Sequence, residues 1–143
     1  MQVIYFVPRL YIYIDHAQNC IYNTTMNIIL GEEQYEAFKD QYIMLKLDTL
    51  VIKGMEIPSY CMLDAKSIPL EELTQLDHWR NNHNKIIENY HKRNFAFVEQ
   101  MIEHCRNRWG GELESFYIDL YARAQQFKKQ KLPDNWTGYI EKD

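Results

Sequence analysis

Apolar residues recur three and four positions apart in three successive runs, and this periodicity constrains the chain more than any other feature. In the first run Leu76, Trp79, His83, Ile86, Ile87 and Tyr90 share one helical face. In the second, Val98, Met101, Ile102, Cys105 and Trp109 do the same, with Asn94 placed as an N-cap and Gly110–Gly111 as the stop. In the third, Leu113, Phe116, Tyr117, Leu120, Tyr121, Ala124 and Phe127 mark a helix that ends in Lys128, Lys129 and Lys131 before Pro133. Pro69, Glu71 and Glu72 suit the opening turn of the first of these helices. Stripes of this kind must be buried against one another, so the C-terminal two thirds are expected to be helical.

The N-terminal part reads differently. Val3–Val7 and Leu10–Ile14 are β-branched or aromatic and predict strands, with Pro8 confining them to an edge or bend. Asp15–Asn19 reads as a turn, after which Cys20–Tyr22 returns as a partner strand. Glu32 and Glu33 open a short helix carrying Tyr35, Phe38 and Tyr42. Ile43, Leu45, Leu47 and Leu50–Ile52 make a strand that turns at Lys53–Gly54 and returns through Met55–Leu63. Pro58 has no N–H, so this return strand should lie at an edge or carry a bulge there. The expected fold class is α+β: N-terminal strands, a short helix and a β-hairpin, then a three-helix antiparallel unit. Residues 1–25 form an N-terminal strand segment of uncertain attachment, and residues 26–143 a single α+β domain.

A chain of 143 residues with 46% hydrophobic and 25% charged residues has the makeup of a packed domain. Its net charge of −4 disfavours nucleic acid as the primary partner. The lysine run is explained by the negative end of a helix dipole. Three cysteines, Cys20, Cys61 and Cys105, form no CxxC pair and point to reduced thiols in a cytoplasmic setting. The apolar N-terminal runs are too short to span a bilayer, and no basic leader precedes them. Neither membrane nor export is expected.

Residues 90–142 carry further signals. Tyr90, His91, Lys92, Arg93, Asn94 and Phe95, the packing residues Val98 and Ile102, and the closing Pro133, Asp134, Asn135, Trp136, Thr137, Gly138 and Lys142 resemble the tetratricopeptide-like tail behind the catalytic domain of bacterial class III adenylate and guanylate cyclases. Asn94 stands where that pattern has an acidic residue, Val98 replaces a small one, and the Gly110–Gly111 break lies outside it. The resemblance implies a helical hairpin of the protein-interaction kind. No cyclase activity is expected of these residues, since the 89 before Tyr90 show neither the paired metal-binding aspartates of the catalytic domain nor room for its fold. From Met26 onward the chain is also similar to small proteins of marine tailed phages, which implies a viral assembly or host-interaction role, in the host cytoplasm or the virion.

No catalytic, metal or cofactor constellation emerges. His78, His83 and His91 are five and eight residues apart, a poor spacing for ligands on one helix. His83 falls in the stripe and His78 beside it, so a hydrogen-bonded core or boundary role explains them better. His104 and Cys105 are adjacent on a helix and point about 100° apart, which does not suit a nucleophile and its base. Glu112 and Glu114 face differently, and Glu112 is better read as a charge at a helix start. Gly110–Gly111 lacks the lysine and hydroxyl of a phosphate loop.

What remains is an aromatic and arginine set: Trp79, Arg93, Arg106, Arg108, Trp109, Tyr117, Tyr121 and Arg123. These residue types dominate interfaces when they cluster, although most of the aromatics fall on expected core faces. The expected function is therefore a non-enzymatic protein-interaction or assembly protein that binds a protein partner or another copy of itself through the helical hairpin. The alternative is an accessory module that senses a nucleotide or metabolite in a pocket lined by Tyr and Met.

Overall fold

A computed structural model describes residues 26–142 in full and the strand Val3–Tyr5 by its backbone. The strands expected at Leu10–Ile14 and Cys20–Tyr22, and the turn between them, lie outside the described residues. The chain forms two compact units: residues 1–68 with 139–143, and residues 69–138.

The first unit holds a five-stranded sheet of order β1-β2-β4-β3-β5, with β1 Val3–Tyr5, β2 Ile28–Leu30, β3 Ile43–Ile52, β4 Met55–Leu63 and β5 Ile140–Lys142. The β3–β4 hairpin forms as expected, because Lys53 and Gly54 both take positive φ (52° and 80°), the geometry that a two-residue turn between twisted strands requires. Pro58 sits in the interior strand β4 rather than at an edge, and the bulge beside it is carried by the partner strand β3 rather than by β4 itself. One extra residue in β3 lies between the Lys46–Tyr60 and Thr49–Pro58 pairs, and the Ser59 hydroxyl donates to the Asp48 carbonyl across that bulge at 2.5 Å.

Two strands were not anticipated. Ile28–Leu30 is only three residues long, and Ile140–Lys142 is equally short with two of its three residues charged, so neither shows an alternating pattern. Both form by pairing with partners distant in sequence: β2 runs antiparallel to β4, and β5 runs parallel to β3.

Helix α1, Glu32–Phe38, carries Glu32 and Glu33 in its first turn as expected. Tyr35, Phe38 and Tyr42 cover a sheet face made of Ile29, Met44, Tyr60 and Met62. Tyr35 stacks on Tyr60 at 4.6 Å, and the Tyr60 hydroxyl donates to Glu32. Burial, reinforced by that bond, raises the Tyr60 hydroxyl beyond the usual tyrosine range.

The second unit is helical, with α2 Leu70–Leu73, α3 Leu76–His91, α4 Phe95–Cys105 and α5 Glu114–Lys128. The single helix expected from Pro69 is broken at Thr74–Gln75, where Gln75 leaves helical geometry (φ −121°, ψ 30°) and the Thr74 hydroxyl turns back to the Glu71 carbonyl at 2.8 Å. Helix α4 ends at Cys105, five residues before the glycines. Arg106 extends (ψ 145°), Asn107 takes φ 65°, and the Glu114 carboxylate accepts from the Arg106 guanidinium and the Asn107 N–H. Glu114, rather than Glu112, fills the first turn of α5. Asn94 stands at the start of α4 as expected but does not cap it, because its amide donates to Asn89 Oδ1 at 2.8 Å.

Three contacts fix the direction of the helices. Phe95 at the start of α4 meets Phe127 at the end of α5, and Arg106 at the end of α4 meets Glu114 at the start of α5, so these two run antiparallel. His83 meets Tyr117, and Tyr90 meets Phe127, so α3 runs parallel to α5. The buried residues Ile86, Tyr90, Val98, Ile102, Cys105, Phe116, Leu120 and Ala124 come from the three expected stripes. No helix among the described residues is long and apolar enough to cross a membrane.

Candidate functional site

The corner between α3 and α4 organises the site. Helix α3 closes with a Schellman motif: the Asn94 N–H reaches the Asn89 carbonyl at 2.9 Å and the Arg93 N–H reaches the Tyr90 carbonyl at 3.1 Å. The left-handed position in such a motif is usually glycine, yet here Arg93 occupies it at φ 68°. The Arg93 side chain accounts for the choice. Its Nη2 donates to the carbonyls of Pro133 at 2.7 Å and Asp134 at 3.2 Å, and the guanidinium lies 5.5 Å from the Trp136 ring centroid.

Arg93 thereby holds residues 133–138 against the helices. Tyr90, Phe95, Phe127 and Trp136 form an aromatic cluster in which each ring centroid lies within 6.4 Å of every other. His91 Nδ1 donates to the Thr137 carbonyl at 2.8 Å. Gly138 completes the closure, since a Cβ there would stand 3.0 Å from the Trp136 ring and 3.1 Å from Tyr90.

Beside this cluster, the first turn of α4 and the last turn of α5 open into a cleft of about 650 Å³. Phe95, Phe97, Phe127 and Leu132 give it an apolar wall, and Arg93, Lys128 and Lys131 stand among its lining residues. By sequence the lysines read as the end of a helix, and Phe97 carries no binding motif. The available signal was phase: Phe97 lies off the Phe95, Val98, Ile102, Cys105 stripe that the fold buries, so an aromatic there is not explained by the core.

The expected contact residues do not assemble into one patch. Trp109 and Tyr117 are core residues, each 1% exposed, and cannot meet a partner in this fold. The Trp109 indole donates to the Tyr117 hydroxyl at 3.1 Å, and the Trp109 backbone N–H, at φ 58°, donates to the buried Glu72 carboxylate at 2.7 Å. Trp79 and Arg108 form their own pair, with the guanidinium 4.0 Å from the ring centroid. Arg106 is exposed and paired with Glu114, and it lines a small hollow with Tyr121, Tyr117, Ile102 and Ile118. Arg123 pairs with Asp119 at 3.0 Å and lies 5.4 Å from the Tyr90 centroid. Of the eight, Arg93 alone is among the residues lining the cleft.

His83 takes the core role expected of it, whereas His78 is exposed rather than at the core or its boundary, because its position on α3 turns it away from the buried stripe. His83 is wholly buried with Nδ1 2.8 Å from the Tyr117 hydroxyl, and His78 lies 3.3 Å from the Asn82 amide. Cys105 packs in the core, where burial pushes its thiol up to about 11 against a weaker opposing pull from Arg108. No group of three or more His, Cys, Asp or Glu among the described residues is placed to hold a metal ion. No protein family, curated protein or solved structure matches the chain.

Proposed function

We propose that the helical unit is a non-catalytic protein-interaction module that receives a peptide segment of a partner in the cleft between α4 and α5. The observation that carries this reading is Phe97 beside Phe127 and Leu132. Phe97, which the core does not absorb, stands with Leu132 and the cluster residue Phe127 on a concave surface, and the Arg93 and Trp136 contacts tie down the neighbouring segment. The likeness to the interaction tail of class III cyclases points the same way. The likeness to small tailed-phage proteins favours a partner in an assembling particle or a host cytoplasm.

The second reading, a metabolite-sensing module, draws support from the cleft volume of about 650 Å³, which suits a small molecule. Its wall is phenylalanine and lysine, however, rather than the tyrosine and methionine that reading expects.

The test is selection of displayed random peptides against the full chain, with Phe97→Glu as the counter-target. Peptides that bind the native chain and are lost on Phe97→Glu support the reading. Peptides that bind both proteins equally, or no enrichment at all, overturn it.

A further inference from the structure

The charges around the cleft select among the peptides it can hold. Arg93, Lys128 and Lys131 are among its lining residues, and no aspartate or glutamate is. Lys128 is neutralised by Glu99 at 3.0 Å. Arg93 makes no ion pair with a described residue, and the Pro133 and Asp134 carbonyls accept from its Nη2 without cancelling its charge. Lys131 is exposed and makes no ion pair with any described residue. Two net positive charges therefore stand at an apolar wall, on a chain whose own net charge is −4.

The first turn of α4 adds to the same field and offsets the negative C-terminal end of α5, which also borders the cleft. Its N-terminal N–H groups carry the positive end of the helix dipole, and Asn94, turned toward Asn89, offers them no side-chain acceptor. Phe95, Ala96 and Phe97 of that turn line the cleft. A long polyanion is a poor fit, because a nucleic-acid strand gains affinity by having many phosphates met along its length. A short segment with carboxylates flanking one bulky apolar side chain matches both features at once.

Building on the reading of the cleft as a peptide site, we infer that its occupant is an acidic segment of a partner protein carrying an aromatic side chain. The ring lies against Phe97, Phe127 and Leu132, and the carboxylates face Arg93 and Lys131. Complementarity of this kind sets partner choice and encounter rate, so binding weakens as salt rises.

The experiment is an amide chemical-shift titration of the full chain with three capped peptides. They contain Asp-Asp-Phe-Asp-Asp, Asp-Asp-Ala-Asp-Asp and Lys-Lys-Phe-Lys-Lys, and sodium phenylacetate serves as a small-molecule arm. The expected result is shifts at Ala96, Phe97, Lys131 and Leu132 with the acidic phenylalanine peptide, and affinity roughly ten-fold above either other peptide. Lys131→Glu, with an otherwise unchanged spectrum, should remove most of that advantage.

Equal or tighter binding of the lysine peptide, shifts confined to other surfaces, or no binding of the acidic phenylalanine peptide overturns the inference. Phenylacetate binding as tightly as that peptide also overturns it, in favour of a small-molecule site. If displayed peptides select the cleft but prove neutral or basic, the peptide-site reading stands and this inference alone falls.

Discussion

The Tyr117 hydroxyl lies 2.8 Å from Nδ1 of His83, and both residues are buried. The same hydroxyl accepts from the Trp109 indole at 3.1 Å, so one oxygen serves two buried nitrogens on different segments of the helical unit. Tyr117→Phe keeps the ring and removes that oxygen, which leaves the indole N–H without its acceptor. A loss of about 1–3 kcal/mol is expected, the usual cost of a buried polar group left unpaired. Urea unfolding of Tyr117→Phe beside Tyr121→Phe, whose ring is half-buried, checks this. The Tyr121 variant should lose markedly less.

Gly138 is the second sensitive position. It holds φ 77°, and a Cβ would press on Trp136 and Tyr90 at 3.0–3.1 Å. Gly138→Ala should therefore destabilise by more than about 1 kcal/mol, because the backbone conformation and the ring contact both resist a methyl group. Gly54, also at positive φ, has nothing within 4 Å of its Cβ position and isolates the conformational part. Thermal unfolding of the two alanine variants should show the larger drop in Tm for Gly138→Ala.

Arg93 combines a backbone conformation that disfavours it with a side chain that the fold uses. Arg93→Gly removes the guanidinium contacts but relieves the left-handed backbone, whereas Arg93→Ala loses the contacts and keeps the strain. The glycine variant should be more stable than the alanine variant by about 1 kcal/mol. Both should shift the indole N–H resonance of Trp136, read in the amide spectrum of the otherwise native chain. If alanine proves as stable as glycine, the left-handed corner is not a source of strain.

Cys105 gives an alkaline signature. Its thiol is raised from 9.0 to about 11 in the fold, so unfolded chains release this proton first as pH rises. Stability should be unaffected by this group below pH 9 and fall between pH 9 and 11, by about 1 kcal/mol at pH 10. Urea midpoints at pH 8 and pH 10 for the native chain and Cys105→Ala test the sign. The alanine variant should show a smaller decline, because the contribution from Cys105 is gone. Native Cys105 should also resist iodoacetamide at neutral pH in site-resolved mass spectrometry.

Periodicity and turn chemistry made much of the architecture legible from the amino acids alone. The stripes of α3, α4 and α5, the Lys53–Gly54 hairpin and the acidic start of α1 depend on neighbours within a few residues, whose spacing is written in the chain. His83 and Cys105 were readable as core residues for the same reason, since each keeps phase with a stripe.

Tertiary structure alone decided the rest, because it concerns partners distant in sequence. Strands Ile28–Leu30 and Ile140–Lys142 form through backbone bonds to strands far along the chain, which no local pattern announces. Glu114 ends α4 from outside it, and Arg93 is committed to carbonyls 40 and 41 residues away. The cleft has the same origin: Phe97 and Lys131 are ordinary positions on separate segments, and antiparallel packing of α4 and α5 brings them to one surface. Local sequence sets which faces are apolar, but the identity of the group that covers each face is a property of the folded chain.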